Sequence, residues 1–329
     1  MDNVTHISNN SVEKTSNLLR PRASFKPFEY PECFDFFTAQ NQAHWMPTEV
    51  SMADDLVDFR EKLKPQEVNL IIQVLRFFTQ GDIEVNNNYN SRLIPKFPKP
   101  EVKMMLNSFS AIESIHVWAY SYLNDTLGLP EEEYNAFLEY ESMKAKYEFM
   151  NTFNIETKKD LAKNLAIFGG FIEGVSLFAS FAILLSFPKR GLLKNVGQIV
   201  SWSVRDESLH SEGVCYLFNQ FIKENPELWT KEFREELYKA CDQVIELESN
   251  FIDSCFSLGA VSGISPQEVK DYVKYIANTR LKTINLKPKY EVKENPFPWI
   301  NTMTLGKEHA NFFETRATDY SKGAIIDDF

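Results

Sequence analysis

Two short words in the chain have the residue types and spacing for metal chemistry, Glu113-Ser-Ile-His116 and Glu207-Ser-Leu-His210. Of the five histidines, only these two have an acid three residues before them. Positions i and i+3 share a face of a helix, so each word presents a carboxylate beside an imidazole. A single such pair is ordinarily a surface acid near a histidine. Here each pair is preceded by a further acid. Asp82 lies 31 residues before Glu113, within NLIIQVLRFFTQGDIEVNN, and Glu173 lies 34 residues before Glu207, within IFGGFIEGVSLFASFAILLSFPKR. A carboxylate in so apolar a run is costly without a cation or a proton. One acid from each of two helices, with Glu-x-x-His from each of two others, makes a ligand set for two metal ions inside a bundle. Carboxylate oxygen and imidazole nitrogen suit iron and manganese. Bridging carboxylates would offset the repulsion between two cations held close together.

Presenting six such side chains inward takes several long helices. Helical periodicity runs nearly unbroken from Pro65 and predicts helices over 66–93, 101–127, 131–153, 158–186, 193–223, 227–258 and 266–284. Shorter helices are expected near 32–42 and 52–62. Breakers separate them at Pro95, Pro98 and Pro100, at Gly128-Leu129-Pro130, at Pro188 and Gly191, at Pro226, and at Gly263-Ile264-Ser265-Pro266. A short hairpin over 284–293 is the one β element expected. The fold class is therefore all-α, a ferritin-like helical bundle of four ligand-bearing core helices plus additional helices. Residues 1–27, rich in Ser, Asn and Thr, read as a poorly ordered leader. Residues 28–305 read as the dimetal bundle and 306–329 as a flexible tail.

The stretch 167–190 is apolar for about the 20 residues a membrane span needs. It nevertheless carries Glu173, where a span least tolerates charge. It reads instead as a helix in the middle of a bundle, apolar all round. A hydrophobic fraction of 43% and a charged fraction of 25% fit a globular chain without a membrane. The net charge of −11 argues against a nucleic-acid binder, which needs a basic face. The opening MDNVTHISNNSVEKTSNLLR is polar and lacks the apolar centre of a secretory signal. Cys33, Cys215, Cys241 and Cys255 show no CxxC spacing, which points to ordinary buried thiols in a reduced cytoplasm. No Gly-rich phosphate loop appears.

With those residues in place, the sequence resembles the small, radical-generating subunit of class I ribonucleotide reductase from about residue 28 to the C-terminus. The words that carry the resemblance are AIESIHVWAYSYL (111–123), FIEGVSLFASF (171–181), RDESLH (205–210) and NFFETRATDY (311–320). It implies that Asp82, Glu113 and His116 ligate one metal and Glu173, Glu207 and His210 the other, with Glu113 and Glu207 able to bridge. Two iron ions are the first choice, with two manganese ions or one of each as the others. Tyr120, one turn beyond His116, matches the family's radical tyrosine. Leu177, Phe181 and Ser203 match the pocket around it, Leu177 standing where many relatives have an aromatic and Ser203 being the more polar departure. Asp206 and Trp45 match a hydrogen-bonded relay His116–Asp206–Trp45. Tyr320 matches the mobile tyrosine that passes the radical across a subunit interface, and SKGAIIDDF matches the tail that docks on the large catalytic subunit. A homodimer is implied as well.

The implied function is that of the small subunit of ribonucleoside-diphosphate reductase. A dimetal centre activated by an oxygen species would generate and store an oxidising equivalent, as a tyrosyl radical at Tyr120 or as high-valent metals. Docking would pass it through Trp45 and Tyr320 to the large subunit, which binds the ribonucleotide. Three rivals share parts of this pattern. A dimetal oxidase or oxygenase acting on its own small substrate would keep all six ligands and lack the Tyr320 tail. A ferritin-like metal store would need no Trp45–Asp206 relay. A manganese-only version of the same subunit would leave Tyr120 reduced.

Overall fold

The structure is a computed structural model that describes residues 18–304. Its helices are α1 (Pro31–Gln42), α2 (Ala53–Val57), α3 (Pro65–Asn87), α4 (Pro100–Leu127), α5 (Glu141–Met150), α6 (Lys158–Ile167), α7 (Phe178–Lys189), α8 (Lys194–Glu224), α9 (Lys231–Cys255) and α10 (Pro266–Thr283), besides shorter turns. Three wide π-helical segments prolong helices of this set. Asp58–Lys62 continues α2. Asn88–Leu93 continues α3, and Phe168–Ser176 joins α6 to α7. No strand forms among the described residues; Val261 and Ile264 make an isolated bridge.

Local chemistry explains most boundaries. Pro65, Pro100 and Pro266 occupy first helical positions, where a missing N–H costs nothing. Thr157 and Ser265 accept from Asp160 N and Glu268 N, and those acids reach back in capping boxes. The start of α8 is capped from a distance. Asp55 accepts from Val196 N at 2.6 Å, and Asp58 accepts from Leu193 N at 2.9 Å. Two carboxylates thus sit at the positive end of the helix that carries Glu207 and His210.

Three segments differ from the sequence expectation. The helix expected over 131–153 divides into Glu133–Ala136, a 3-10 turn Phe137–Glu139 and α5. The hairpin expected over 284–293 does not form. There Asn278 takes the part of a partner strand: its side chain accepts from Lys289 N and Tyr290 N and donates to Tyr290 O. The leader expected to be loose through residue 27 packs on the bundle from Leu18 onward. Leu18 is buried, and Arg22 pairs with the buried Glu101.

Helix α3 lies along α4, α8 crosses the Phe168–Ser176 segment and α7, and α9 and α10 close the other side. Lys158–Lys189 is long and apolar enough to cross a membrane, but its apolar window is wholly buried in the bundle. Its close packing depends on glycine. A Cβ on Gly169 would stand 2.5 Å from Val214 Cγ1 of α8, and one on Gly174 would stand 2.7 Å from Ser211 Oγ. The end of the π segment is tied down by a buried ion pair. Ser176 Oγ donates to Glu248 Oε1 at 2.8 Å, and Lys146 Nζ lies 2.6 Å from the same oxygen.

Candidate dimetal site

Six side chains converge where α3, α4, the π segment and α8 meet. Asp82 comes from α3, Glu113 and His116 from α4, Glu173 from the π segment, and Glu207 and His210 from α8. All six are essentially inaccessible to solvent. Their potential ligand atoms form two groups, each within 4.8 Å, one of Asp82, Glu113 and His116 and the other of Glu113, Glu173, Glu207 and His210. Glu113 belongs to both. Its Oε1 lies 2.8 Å from His210 Nδ1, and its Oε2 lies 3.6 Å from His116 Nδ1. Glu207 also reaches across, with Oε1 3.1 Å from His116 Nδ1 and Oε2 3.9 Å from His210 Nδ1.

The hydrogen-bond inventory tests whether metal ions fit. Both oxygens of Asp82, both of Glu113, Oε2 of Glu173, Oε2 of Glu207 and Nδ1 of both histidines are buried without a hydrogen-bond partner. Orphaned buried polar atoms are rare because each forfeits its hydration. Here they are the atoms that face one another across the two groups. The remote ring nitrogens, by contrast, are engaged. His116 Nε2 lies 3.3 Å from Asp206 Oδ2, and His210 Nε2 lies 3.2 Å from Gln40 Oε1. Those oxygens can only accept, so each Nε2 carries hydrogen and each Nδ1 lone pair is left for a cation. The donor set therefore fits two divalent ions.

The electrostatics agree. Burial and the charge of Glu113 push Asp82 well above the usual carboxylate range. Burial, then Glu207 and Glu113, do the same to Glu173. Glu207 is raised by burial and by Glu113. For Glu113 the same burial is outweighed by His116 and His210, and its affinity for a proton falls. Burial disfavours charge on His116, but contacts with Asp206, Glu113 and Glu207 override it and raise its pKa well above the ordinary value. Asp82, Glu173 and Glu207, crowded in one dry site, hold protons until cations replace them.

A family model for the small chain of ribonucleotide reductase matches residues 22–296. The chain is 38% identical to the probable ribonucleoside-diphosphate reductase small subunit 048L of Invertebrate iridescent virus 3, over 97% of this chain and 89% of that one. This chain belongs to the ribonucleotide reductase small-chain family. It is also 33% identical to the ribonucleoside-diphosphate reductase subunit beta of Chlamydia pneumoniae, over 89% of this chain and 88% of that one. In fold it matches the ribonucleotide reductase R2 subunit from Clostridium botulinum with a TM-score of 0.81 at 22% identity, covering 91% and 98% of the two chains.

As a ribonucleotide reductase small chain, the molecule has further positions of interest around the ligands. Trp45 Nε1 donates to Asp206 Oδ2 at 2.7 Å, the oxygen that also meets His116. The Trp45 ring stacks on His116 at 5.9 Å between centroids. Burial would raise Asp206, but His116, Arg205 and Trp45 hold it below its ordinary value, so it stays an anion. Tyr120 is buried on α4, and its hydroxyl makes no hydrogen bond. Burial and then the charge of Asp82 push the phenol well up, the charge of His116 opposing more weakly. Phe78 packs on the Tyr120 ring at 4.4 Å, and Phe181 packs on Phe78 at 5.4 Å. Leu177 ends the π segment and faces Gly81, beside Asp82. Ser203 turns its hydroxyl to Ile199 O at 3.2 Å. Tyr320 and the tail lie outside the described residues.

Three residues near the site have no place in the sequence reading. Phe78 lies one turn before Asp82 and Tyr89 two turns after it, so both share its face and helical spacing could have flagged them. Gln40, buried on α1, donates to Asp206 Oδ1 at 3.2 Å while meeting His210. Nothing in its local sequence signals that position.

Proposed function

We propose that this chain is the small subunit of a ribonucleoside-diphosphate reductase, an oxidoreductase that generates the oxidising equivalent and leaves the ribonucleotide to a large catalytic subunit. The observation that carries the reading is the pair of ligand groups sharing Glu113, with Tyr120 buried on the helix of Glu113 and His116 and the His116–Asp206–Trp45 line attached to the same group. Bound metal ions, iron in both positions as first choice with manganese as the alternative, supply one-electron oxidation once activated by an oxygen species.

The protein's own groups do the rest. Asp82, Glu113 and His116 hold one ion, and Glu173, Glu207 and His210 hold the other. Tyr120 would give up an electron and its phenolic proton to the activated centre, from a dry pocket of Phe78, Phe181, Leu177 and Ser203 that keeps water away. Asp206 fixes the His116 tautomer and links it to the Trp45 indole, from which the equivalent leaves toward Tyr320. The C-terminal tail docks on the large subunit, and the working small subunit is a homodimer. The buried, unpaired thiols fit a reducing cytoplasm.

Metal analysis with electron paramagnetic resonance on the oxygen-exposed chain tests the core of this reading. Two metal ions per chain and a tyrosyl signal abolished by Tyr120→Phe are expected. Full reductase activity in Tyr120→Phe would place the stored equivalent on the metals instead. Deleting the last ~20 residues, the order of size of a chain terminus, which include Tyr320 and SKGAIIDDF, should abolish turnover with the large subunit while metal content stays intact. Unchanged turnover after that deletion would sink the subunit reading.

A further inference from the structure

The two acids outside the Glu-x-x-His words are not held alike. Asp82 has both carboxylate oxygens without a hydrogen-bond partner. Glu173 has one oxygen engaged, since Tyr89 Oη donates to Oε1 at 2.5 Å, and only Oε2 is free. The Tyr89 side chain is buried and stands edge-on to His210 at 6.2 Å. Both partners lie on π-helical segments, Tyr89 on Asn88–Leu93 and Glu173 on Phe168–Ser176. Such segments are wider than an α-helix and often mark functional positions.

The two segments are fastened together and from behind. Asn88, next to Tyr89, exchanges amide hydrogen bonds with Asn164 of α6 at 3.3 and 2.9 Å. On the opposite side Arg280 of α10, itself nine-tenths buried, donates from Nε to the Gly174 carbonyl at 3.2 Å. A Cβ at Gly174 would stand 2.9 Å from that nitrogen, so the backbone beside Glu173 is glycine where the guanidinium closes on it. No equivalent clamp is seen on the Asp82 carboxylate.

We infer that Tyr89 is a positioning residue for the metal site of Glu173 and His210: by donating to Oε1, the oxygen 4.0 Å from His210 Nδ1, it fixes the orientation of the Glu173 carboxylate and makes this the more rigid of the two sites. Arg280 supports it by holding the backbone of the π segment. The inference rests on the dimetal reading and adds to it an asymmetry between the two sites. A phenol that fixes a ligand carboxylate acts on affinity at that site alone.

The test is manganese(II) titration of the metal-free full-length chain, followed by calorimetry and by the resonance of the free ion. Wild type should take up two ions. In an Asp82→Ala background, which leaves the Glu173 site, adding Tyr89→Phe should weaken binding by ~10- to 100-fold, the usual effect of losing a group that orients a ligand. In a Glu173→Ala background, the same change should leave the remaining site as it was. In the otherwise wild-type chain, Tyr89→Phe should weaken only one of the two binding steps, which covers a background variant that does not fold. Unchanged affinity in Asp82→Ala/Tyr89→Phe, or equal weakening of both steps, would overturn the inference while leaving the dimetal reading intact. A wild-type chain that takes up no second ion would fail that reading, and the inference with it.

Discussion

Asp206→Asn is the sharpest probe of how the two histidines are oriented. The carboxylate is fully buried, and each oxygen serves two side chains. Oδ2 meets Trp45 Nε1 at 2.7 Å and His116 Nε2 at 3.3 Å. Oδ1 meets Gln40 Nε2 at 3.2 Å and Arg205 Nη2 at 3.1 Å. Asparagine keeps the shape but offers one acceptor oxygen and one NH2. If the NH2 turns toward Trp45 and His116, two buried donors face a third. His116 then relieves the clash only by moving its proton to Nδ1, the atom needed for the metal. If the NH2 turns the other way, Arg205 can swing toward solvent, since its side chain is 22% exposed. Gln40 must then flip, and its NH2 confronts His210 Nε2, which moves the proton problem to the second histidine. Either way one imidazole is left in the wrong tautomer.

The loss is about one to two buried hydrogen bonds to a charged acceptor, each ~1–3 kcal/mol. The metal-free variant should therefore unfold at about 2–4 kcal/mol less stability, a fall in midpoint of about 3–6 °C for a chain of this size. Affinity for one of the two metal ions should fall ~10- to 100-fold. Thermal unfolding of the metal-free protein and metal titration read the two effects separately. Two ions bound with wild-type affinity at an unchanged midpoint would refute the tautomer argument.

The pH dependence of metal uptake follows from the raised acids. Asp82, Glu173, Glu207 and His116 all hold protons to higher pH than they would in water. Metal uptake must therefore release protons, and measured affinity should climb as pH rises from about 5 to 8. The metal-free fold should move the opposite way. A group whose folded pKa is raised stabilises the fold below its unfolded pKa, and that contribution is lost as pH rises through the folded value. For these carboxyls the loss begins above about pH 4, and thermal melts without metal should show it. Gly169→Ala tests the packing of the π segment on α8. Its new methyl would lie 2.5 Å from Val214 Cγ1 and should cost ~1–3 kcal/mol, so an unchanged denaturation midpoint would contradict the close approach.

The convergence of the six acid and imidazole side chains was legible because helical spacing is rigid. Glu113 with His116 and Glu207 with His210 are three apart, and a helix leaves them no choice but to share a face. The run around Glu173 was legible as buried because only a bundle interior accommodates that much apolar surface around one acid. What escaped the sequence depends on pairing between distant segments. Gln40 is separated from Asp206 by 166 positions, and no local pattern connects them. The break in 131–153 contains neither Pro nor Gly, so no breaker announced the 3-10 turn at Phe137–Glu139. The failed hairpin has the same origin. Asn278, on α10, supplies by side chain the hydrogen bonds that a second strand would otherwise have to make.

The π segments are the most instructive omission, because they decide how Glu173 is presented. A hydrophobic period cannot reveal them when nearly the whole run is buried, as Phe168 to Val175 is, since widening the turn there exposes no side chain to water. The clue was instead steric. Gly169, Gly170 and Gly174 cluster there, and glycine inside a helix is unfavourable by about 1 kcal/mol relative to alanine. Two of the three stand where α8 or Arg280 comes too close for a methyl group. The cost in helix propensity thus secures close approach between the backbone that bears Glu173 and the helix that bears Glu207 and His210. An acid in a long apolar run and glycines in the same run are one feature. The glycines bring the run near enough to its partner helix for the acid to meet a cation rather than stand alone in the core.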